Sequence, residues 1–185
     1  ALPGNYKALF CVDGTCDSTK FKIENDPLSE ASLDDLKAQF EFVAAMRDKL
    51  SETHQTIIDI RAVRKQLKTL KVRINADSTF SDLQMLAKGI DSTLTVVENA
   101  LYQTKNRSPQ DPLNFPIRLN NKLGHLNALS YGDYPPTDQA IAVRDELFNQ
   151  IDLNINKFKA ILEEDIKGFN EMFRQKMVDI IWLEP

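Results

Sequence analysis

The 185-residue chain has few of the side chains from which catalytic and metal sites are built: two His, two Cys, one Trp and six Gly. The motifs HExxH, GxSxG, GxxxxGK[ST] and paired CxxC do not occur in it. His54 and His125 are far apart and have no Cys, Asp or Glu at metal-ligand spacing. We therefore expect a protein that is not an enzyme and that has no cofactor and no metal site.

Long apolar runs and a strong charge of one sign are also missing. No window approaches the roughly 18 to 20 apolar residues of a membrane-spanning helix, so none is expected. The net charge of -4 gives no general attraction to nucleic-acid phosphates, so no nucleic-acid partner is expected. The 42% hydrophobic content is too high for a disordered segment and predicts a folded domain.

The N-terminus has neither the basic region nor the apolar run of a signal peptide, and residue 1 is Ala rather than Met. We expect the chain to be a processed or excised piece of a longer parent. Residues 1–27 are expected to be a β-hairpin left from an upstream β-sandwich-like domain, and residues 28–185 a helical bundle.

The hairpin is predicted from alternation around a tight turn. Apolar residues at positions 6, 8, 10 and 12 alternate with the residues between them, and Phe21 and Ile23 continue the return strand. Asp13 and Gly14 form a strong hairpin-turn signal. Because an isolated two-stranded hairpin is marginal in water, it should pack on the helices or pair with strands upstream of residue 1.

This turn also predicts a disulfide. With Asp13 and Gly14 as the central turn residues, Cys11 faces Cys16 as a non-hydrogen-bonded pair, whose Cα separation of about 4.5 Å suits a disulfide. The alternative is two reduced thiols in a cytosolic hairpin.

From Leu33 onward the apolar period becomes helical. Ser32 can cap a first helix that no Gly or Pro interrupts, and about 42 residues of helix would span about 63 Å. Three further amphipathic segments follow, the last of them long. The predicted fold is mainly α: an antiparallel four-helix up-down-up-down bundle with two long helices, preceded by the short hairpin.

Three polar residues fall at predicted core positions: Arg47 and His54 in the first helix and Asp165 in the last. If these helices are antiparallel over their full lengths, Arg47 and Asp165 reach similar heights and should form a partly buried ion pair. The alternative is that Arg47 binds an anionic ligand in a pocket lined by all three residues. A surface for partner binding is expected at Phe42, at Trp182 and in the tail at 179–183.

Nearly the whole chain resembles the C-terminal helical region of bacterial sortilin-type β-propeller proteins, a group often described as BNR-repeat or glycosyl-hydrolase-like. The specific segments are Arg-Asp-x-Leu-Ser, which begins at Arg47, and Asn-Phe-Pro-x-x-Leu-Asn-Asn-Lys-Leu, which begins at Asn114. The matching segments are 3–6, 12–14, 26–27, 36–40, 47–54, 60–64 and 110–123. The family's propeller and its Asp-box motif, Ser-x-Asp-x-Gly-x-x-Trp, do not occur here, so the resemblance assigns no catalytic residue.

The resemblance implies an extracytoplasmic parent, either periplasmic, outer-membrane-associated or secreted. The chain would then be a non-enzymatic C-terminal structural or interaction module. Its partners would be upstream domains of the parent chain or another envelope protein. The alternative is an outer-membrane-associated component of a carbohydrate-handling system that binds a glycan or a partner protein directly.

Overall fold

A computed structural model describes residues 1–74, 78–130 and 132–176. The chain is mainly helical and begins with one antiparallel hairpin, formed by strands β1 (Gly4–Val12) and β2 (Thr15–Ile23). The turn residues Asp13 and Gly14 have φ of 48° and 83°, the left-handed conformation that a type I′ hairpin turn requires at both central positions. The predicted hairpin is confirmed.

The predicted disulfide is also present. Cys11 pairs with Cys16 across the strands, their sulfurs are bonded, and their Cα atoms are 4.1 Å apart. This short separation is typical of a non-hydrogen-bonded pair in an antiparallel ladder.

The first helix, α1 (Leu33–Ile74), is the long helix that the sequence predicts. Ser32 Oγ accepts a hydrogen bond from the Asp35 backbone N–H at 3.1 Å, and the Asp35 carboxylate accepts one from the Ser32 N–H at 3.0 Å. This reciprocal pair satisfies two amide groups that a helix N-terminus otherwise leaves unpaired, and so fixes the start of α1.

Two shorter helices follow, α2 (Ser81–Leu101) and α3 (Leu119–Leu126). The last helical segment begins with α4 (Asp138–Ala160), whose start is capped by the Thr137 hydroxyl. A π-helical stretch, Ile161–Ile166, then continues into α5 (Lys167–Gln175). Single-turn 3₁₀ segments precede α2, lie between α2 and α3, and follow α3.

Contacts between helices give their directions. Arg61 and Arg64 of α1 both bind Glu98 of α2, and the Gln84 side chain donates to the Ile74 carbonyl at 2.6 Å, so α1 and α2 are antiparallel. In contrast, earlier residues of α4 contact earlier residues of α1, and later residues of α4 contact later residues of α1. Thus α1 and α4 run parallel, and the predicted up-down-up-down order is not confirmed.

The parallel relation of α1 and α4 is seen in two cross-contacts. The Arg144 guanidinium lies 5.0 Å from the centre of the Phe42 ring, and Lys49 Nζ lies 2.7 Å from the Asp152 carboxylate. The core fills the space between these helices and α2, α3 and α5. Its largest fully buried apolar side chains are Phe169, Ile60, Ile74, Leu83, Leu94, Leu101, Leu123 and Ile151.

The predicted ion pair between Arg47 and Asp165 is wrong. The Arg47 side chain is 69% exposed and pairs with Asp48 at 2.7 Å, and Asp165 is exposed in the π-helical stretch. Because α1 and α4 are parallel, the α1 segment around Lys49 lies beside Asp152 rather than beside residue 165. The buried face in the first half of α1 also lies about one residue earlier than predicted, which places Met46 in the core and Arg47 outside it.

Candidate partner-binding surface

The hairpin has almost no contact with the helices along its length. Every residue of the two strands is exposed except the half-buried Gly4, Tyr6 and Ile23 near its base. At this base the Tyr6 hydroxyl donates to the Leu2 carbonyl at 2.7 Å, and the Tyr6 ring stacks on Phe21 with centroids 5.8 Å apart. The part of the hairpin toward its turn is therefore exposed on both faces.

One face of the hairpin is apolar. Directly opposite residues of an antiparallel pair share a face, and the register pairs Tyr6 with Phe21 and Phe10 with Asp17. We call this surface the apolar face, and its apolar members are Tyr6, Ala8, Phe10, Val12, Phe21 and Ile23. Phe10, Val12 and Phe21 are 72%, 52% and 46% exposed. Two large rings uncovered on one face of a two-stranded sheet make this face a candidate for partner binding.

The opposite face is basic. Lys7 and Lys20 are directly opposite each other, and Lys22 follows on the same face. We call this surface the lysine face, and its members are Asn5, Lys7, Leu9, Cys11, Cys16, Ser18, Lys20 and Lys22. Lys22 pairs with the exposed Glu24 at 2.8 Å. Like charges that face each other across strands are destabilising, so the Lys7 and Lys20 pair lowers the stability of the hairpin when nothing is bound.

The outer edges of the hairpin differ in their free hydrogen-bonding groups. In a hairpin with a two-residue turn, the residues that flank the turn form a hydrogen-bonded pair. Val12 and the other β1 residues of the apolar face therefore direct their backbone N–H and C=O groups toward β2. The backbone groups of the lysine face therefore point outward. On β2, the Asp17 carboxylate accepts from the outward N–H of Ser18 at 2.7 Å. The β1 edge has no comparable side-chain contact in the described chain.

A cleft of about 490 Å³ lies between the hairpin base and the start of α1. One wall includes the half-exposed Phe40 ring, and its polar side chains are carboxylates and amides, among them Asp26, Asp133, Asn25 and Asn127. An apolar ring beside several hydrogen-bonding groups is a combination that can hold a small polar ligand.

A different cluster joins α1 to α2. The Glu98 side chain, only 4% exposed, accepts from Arg61 Nε at 2.7 Å and from Arg64 Nη1 at 2.6 Å, and Arg64 Nε also binds Asp91 at 2.9 Å. Burial lowers the pKa of Arg64, but its hydrogen bonds and charge interactions with Asp91 and Glu98 outweigh burial and raise this pKa overall. Because these charges pair with one another, the cluster is best explained as a structural contact between the helices.

The predicted site residues do not come together. Phe42 is buried beneath the Arg144 guanidinium, so its assignment to an exposed partner surface is wrong. Trp182 and the tail at 179–183 lie outside the described residues. Arg47 borders a groove between α1 and α3, whereas His54 and Asp165 are exposed and do not line that groove, so the predicted shared pocket is also wrong.

Sequence reasoning missed Phe10 and Phe21 as candidates for partner binding. Phe10 follows Tyr6 and Ala8 at alternate positions, and Phe21 lies between Lys20 and Lys22, which predicts strands that share one apolar face, but this pattern is the same whether the face is covered or open. Only the structure shows that the helices leave this face uncovered.

No helix in the described part of the chain is long and apolar enough to cross a bilayer. Within residues 1–74, 78–130 and 132–176, no three His, Cys, Asp or Glu side chains are grouped so that they could hold a metal ion. Comparison with protein-family models, with curated proteins and with solved structures found no match.

Proposed function

We propose that this chain is a non-enzymatic structural and interaction module of an exported cell-envelope or secreted protein, and that its hairpin is the part that binds. The partner is an upstream β-sandwich-like domain of the parent chain or another envelope protein. The observation that supports this most strongly is the apolar face, with Phe10 and Phe21 exposed on a hairpin that the helices leave uncovered.

Two arguments support the extracytoplasmic location. The bond between Cys11 and Cys16 is of a kind that persists in oxidising compartments and is rare in the cytosol. The similarity to the C-terminal helical region of bacterial sortilin-type propeller proteins favours the same location, periplasmic, outer-membrane-associated or secreted.

The disulfide and the exposed apolar side chains both favour partner binding by a hairpin that is already formed. A disulfide closing so short a loop restricts the unfolded chain by about 2 kcal/mol, which offsets the weakness of an isolated hairpin. Covering the exposed parts of Phe10, Val12 and Phe21 would stabilise a complex by roughly 3 to 4 kcal/mol, at about 2 kcal/mol for each complete side chain. The apolar face therefore supplies a useful part of a specific interaction.

Site-specific cross-linking tests the proposal. A photoreactive phenylalanine analogue replaces Phe10 in the protein as cells make it, and a matched chain carries the analogue at Val96, an exposed apolar residue on α2. We expect the Phe10 chain to cross-link to an envelope protein or to another part of its own parent, and the Val96 chain not to do so. Equal cross-linking at both positions, or none at Phe10, would contradict the proposal.

The second candidate is direct glycan binding as part of an outer-membrane-associated carbohydrate-handling system, and the cleft beside Phe40 supports it. A half-exposed ring flanked by Asp26, Asp133 and Asn127 can stack on one face of a sugar and hydrogen-bond to its hydroxyls. A panel of soluble oligosaccharides would be screened by NMR chemical-shift changes. Binding should be lost in Phe40→Ala and kept in Met85→Ala, an exposed control on α2. Absence of shifts around the cleft would rule this candidate out.

A further inference from the structure

We propose that the outer edge of β1 accepts a third strand from a partner segment in which acidic and apolar residues alternate. This rests on the proposed function of the hairpin in binding and adds the pairing edge and the chemistry of the partner. The inference combines the free backbone groups of β1 with the charges of the lysine face.

The edge is suited to strand addition. β1 is nine residues long, Gly4–Val12, contains no Pro, and directs the backbone groups of Asn5, Lys7, Leu9 and Cys11 outward. Added main-chain hydrogen bonds would extend the ladder along this length. On the β2 edge, the Asp17 contact with the Ser18 N–H already occupies one outward donor, so β1 is the edge of choice.

Charge determines which strand fits. Side chains of an added strand that lie beside Lys7 share the lysine face, where a carboxylate would relieve the repulsion between Lys7 and Lys20. The alternate side chains would lie beside Tyr6, Ala8 and Phe10 on the apolar face, where apolar groups would extend the cover of Phe10. The partner strand therefore carries Asp or Glu on the side that lies beside Lys7, and apolar residues at the alternate positions.

A second copy of this chain is a poorer occupant of the same edge. When two β1 strands pair edge to edge, their hydrogen-bonded residues share a face, so the second copy would add its own lysines to the lysine face. Lysines on an edge strand are a known means of preventing such self-pairing.

The test uses the full chain and two synthetic nine-residue peptides with blocked ends. One alternates Glu with Val, and the control has Lys in place of Glu. At low ionic strength we expect the acidic peptide to bind and to slow amide hydrogen exchange at Lys7 and Leu9 at least tenfold, with less than twofold change at Ser18 and Lys20. The lysine peptide should not bind.

A charge reversal sharpens the test. The double variant Lys7→Glu and Lys20→Glu keeps a like-charged pair across the strands, so the stability of the hairpin should change little. This variant should bind the acidic peptide at least tenfold more weakly than the unmodified chain does, and it should bind the lysine peptide more tightly. Lys65→Glu, an exposed control on α1, should bind as the unmodified chain does.

Three results would overturn the inference. The first is that both peptides bind equally or that neither binds, and the second is that amide exchange slows on the β2 edge instead of the β1 edge. The third is that sedimentation shows a dimer of the chain whose β1 edges pair with each other. The proposed function is tested separately, because cross-linking from position 10 reports on the apolar face. Cross-linking from position 10 without peptide binding would contradict the third-strand proposal but not the proposal that the hairpin binds a partner. Peptide binding without cross-linking would contradict the proposal that the hairpin binds a partner in cells.

Discussion

Replacing Glu98 by Gln should destabilise the protein by about 2 to 3 kcal/mol. The buried carboxylate accepts two charge-assisted hydrogen bonds, from Arg61 and Arg64, each with a net value of about 1.5 to 3 kcal/mol. Breaking a fully buried ion pair costs about 3 to 5 kcal/mol. Here the Arg61 and Arg64 side chains are 51% and 33% exposed and regain water contact when released, so the expected cost is below that of a fully buried pair, at about 2 to 3 kcal/mol.

The assay is urea unfolding monitored by circular dichroism at neutral pH, with thermal unfolding in parallel. For a chain of this size the loss corresponds to a fall in unfolding temperature of about 5 to 10 °C. Asp48→Asn is the control, because it removes the solvent-exposed pair with Arg47 and should change stability by less than about 0.5 kcal/mol. A Glu98→Gln effect as small as that of the control would refute the idea that the buried carboxylate joins α1 to α2.

Reduction of the disulfide between Cys11 and Cys16 should leave the unfolding midpoint of the helices within about 1 °C and speed amide exchange near the hairpin turn, as measured by NMR, since the hairpin barely touches the helices. The hydrogen bond from Lys176 lowers the pKa of Asp82, so its contribution is present above about pH 4 and is lost as the pH falls through the lowered pKa. Lys176→Ala should flatten this part of the stability profile in denaturant titrations between about pH 5 and pH 2. Leu94→Ala, at a fully buried site, should cost about 2 to 5 kcal/mol in the same titrations, and a loss below 1 kcal/mol would contradict the assigned core.

The features that the sequence predicts correctly are those that neighbouring residues determine. The turn at Asp13 and Gly14 fixes the register, and the register alone brings Cys11 and Cys16 together. Similarly, Ser32 and Asp35 define the start of α1, and the absence of Gly and Pro lets the helix continue to Ile74.

The helix faces could not be predicted as well, for two physical reasons. Thr53 is fully buried because its hydroxyl donates to the Lys49 carbonyl at 2.7 Å, which satisfies the polar group within the helix and lets the side chain pack as an apolar one. A step of four residues from Leu50 reaches His54 instead, and His is as polar as Thr, so the residue types alone do not correct a buried face that is predicted about one residue too late. That error assigned His54 to the core and Phe42 to the surface.

The second reason is the π-helical stretch in the last helical segment. It has more residues per turn than an α-helix, so an unchanged helical period through Ile161–Ile166 assigns the wrong residues to the core. Ile161 is buried, whereas Asp165, which the sequence analysis places at a core position, is exposed. The parallel direction of α1 and α4 depends on long-range packing, which no local pattern encodes.

The parallel arrangement places the hairpin base and the end of the last helical segment at opposite ends of α1. The hairpin base borders Phe40 near the start of α1, whereas Lys176 binds Asp82 near its end. At 1.5 Å per residue, these ends are about 50 Å apart along α1. Helices packed along most of that length resist bending, so the separation between the hairpin base and the Lys176 end is fixed by the length of α1.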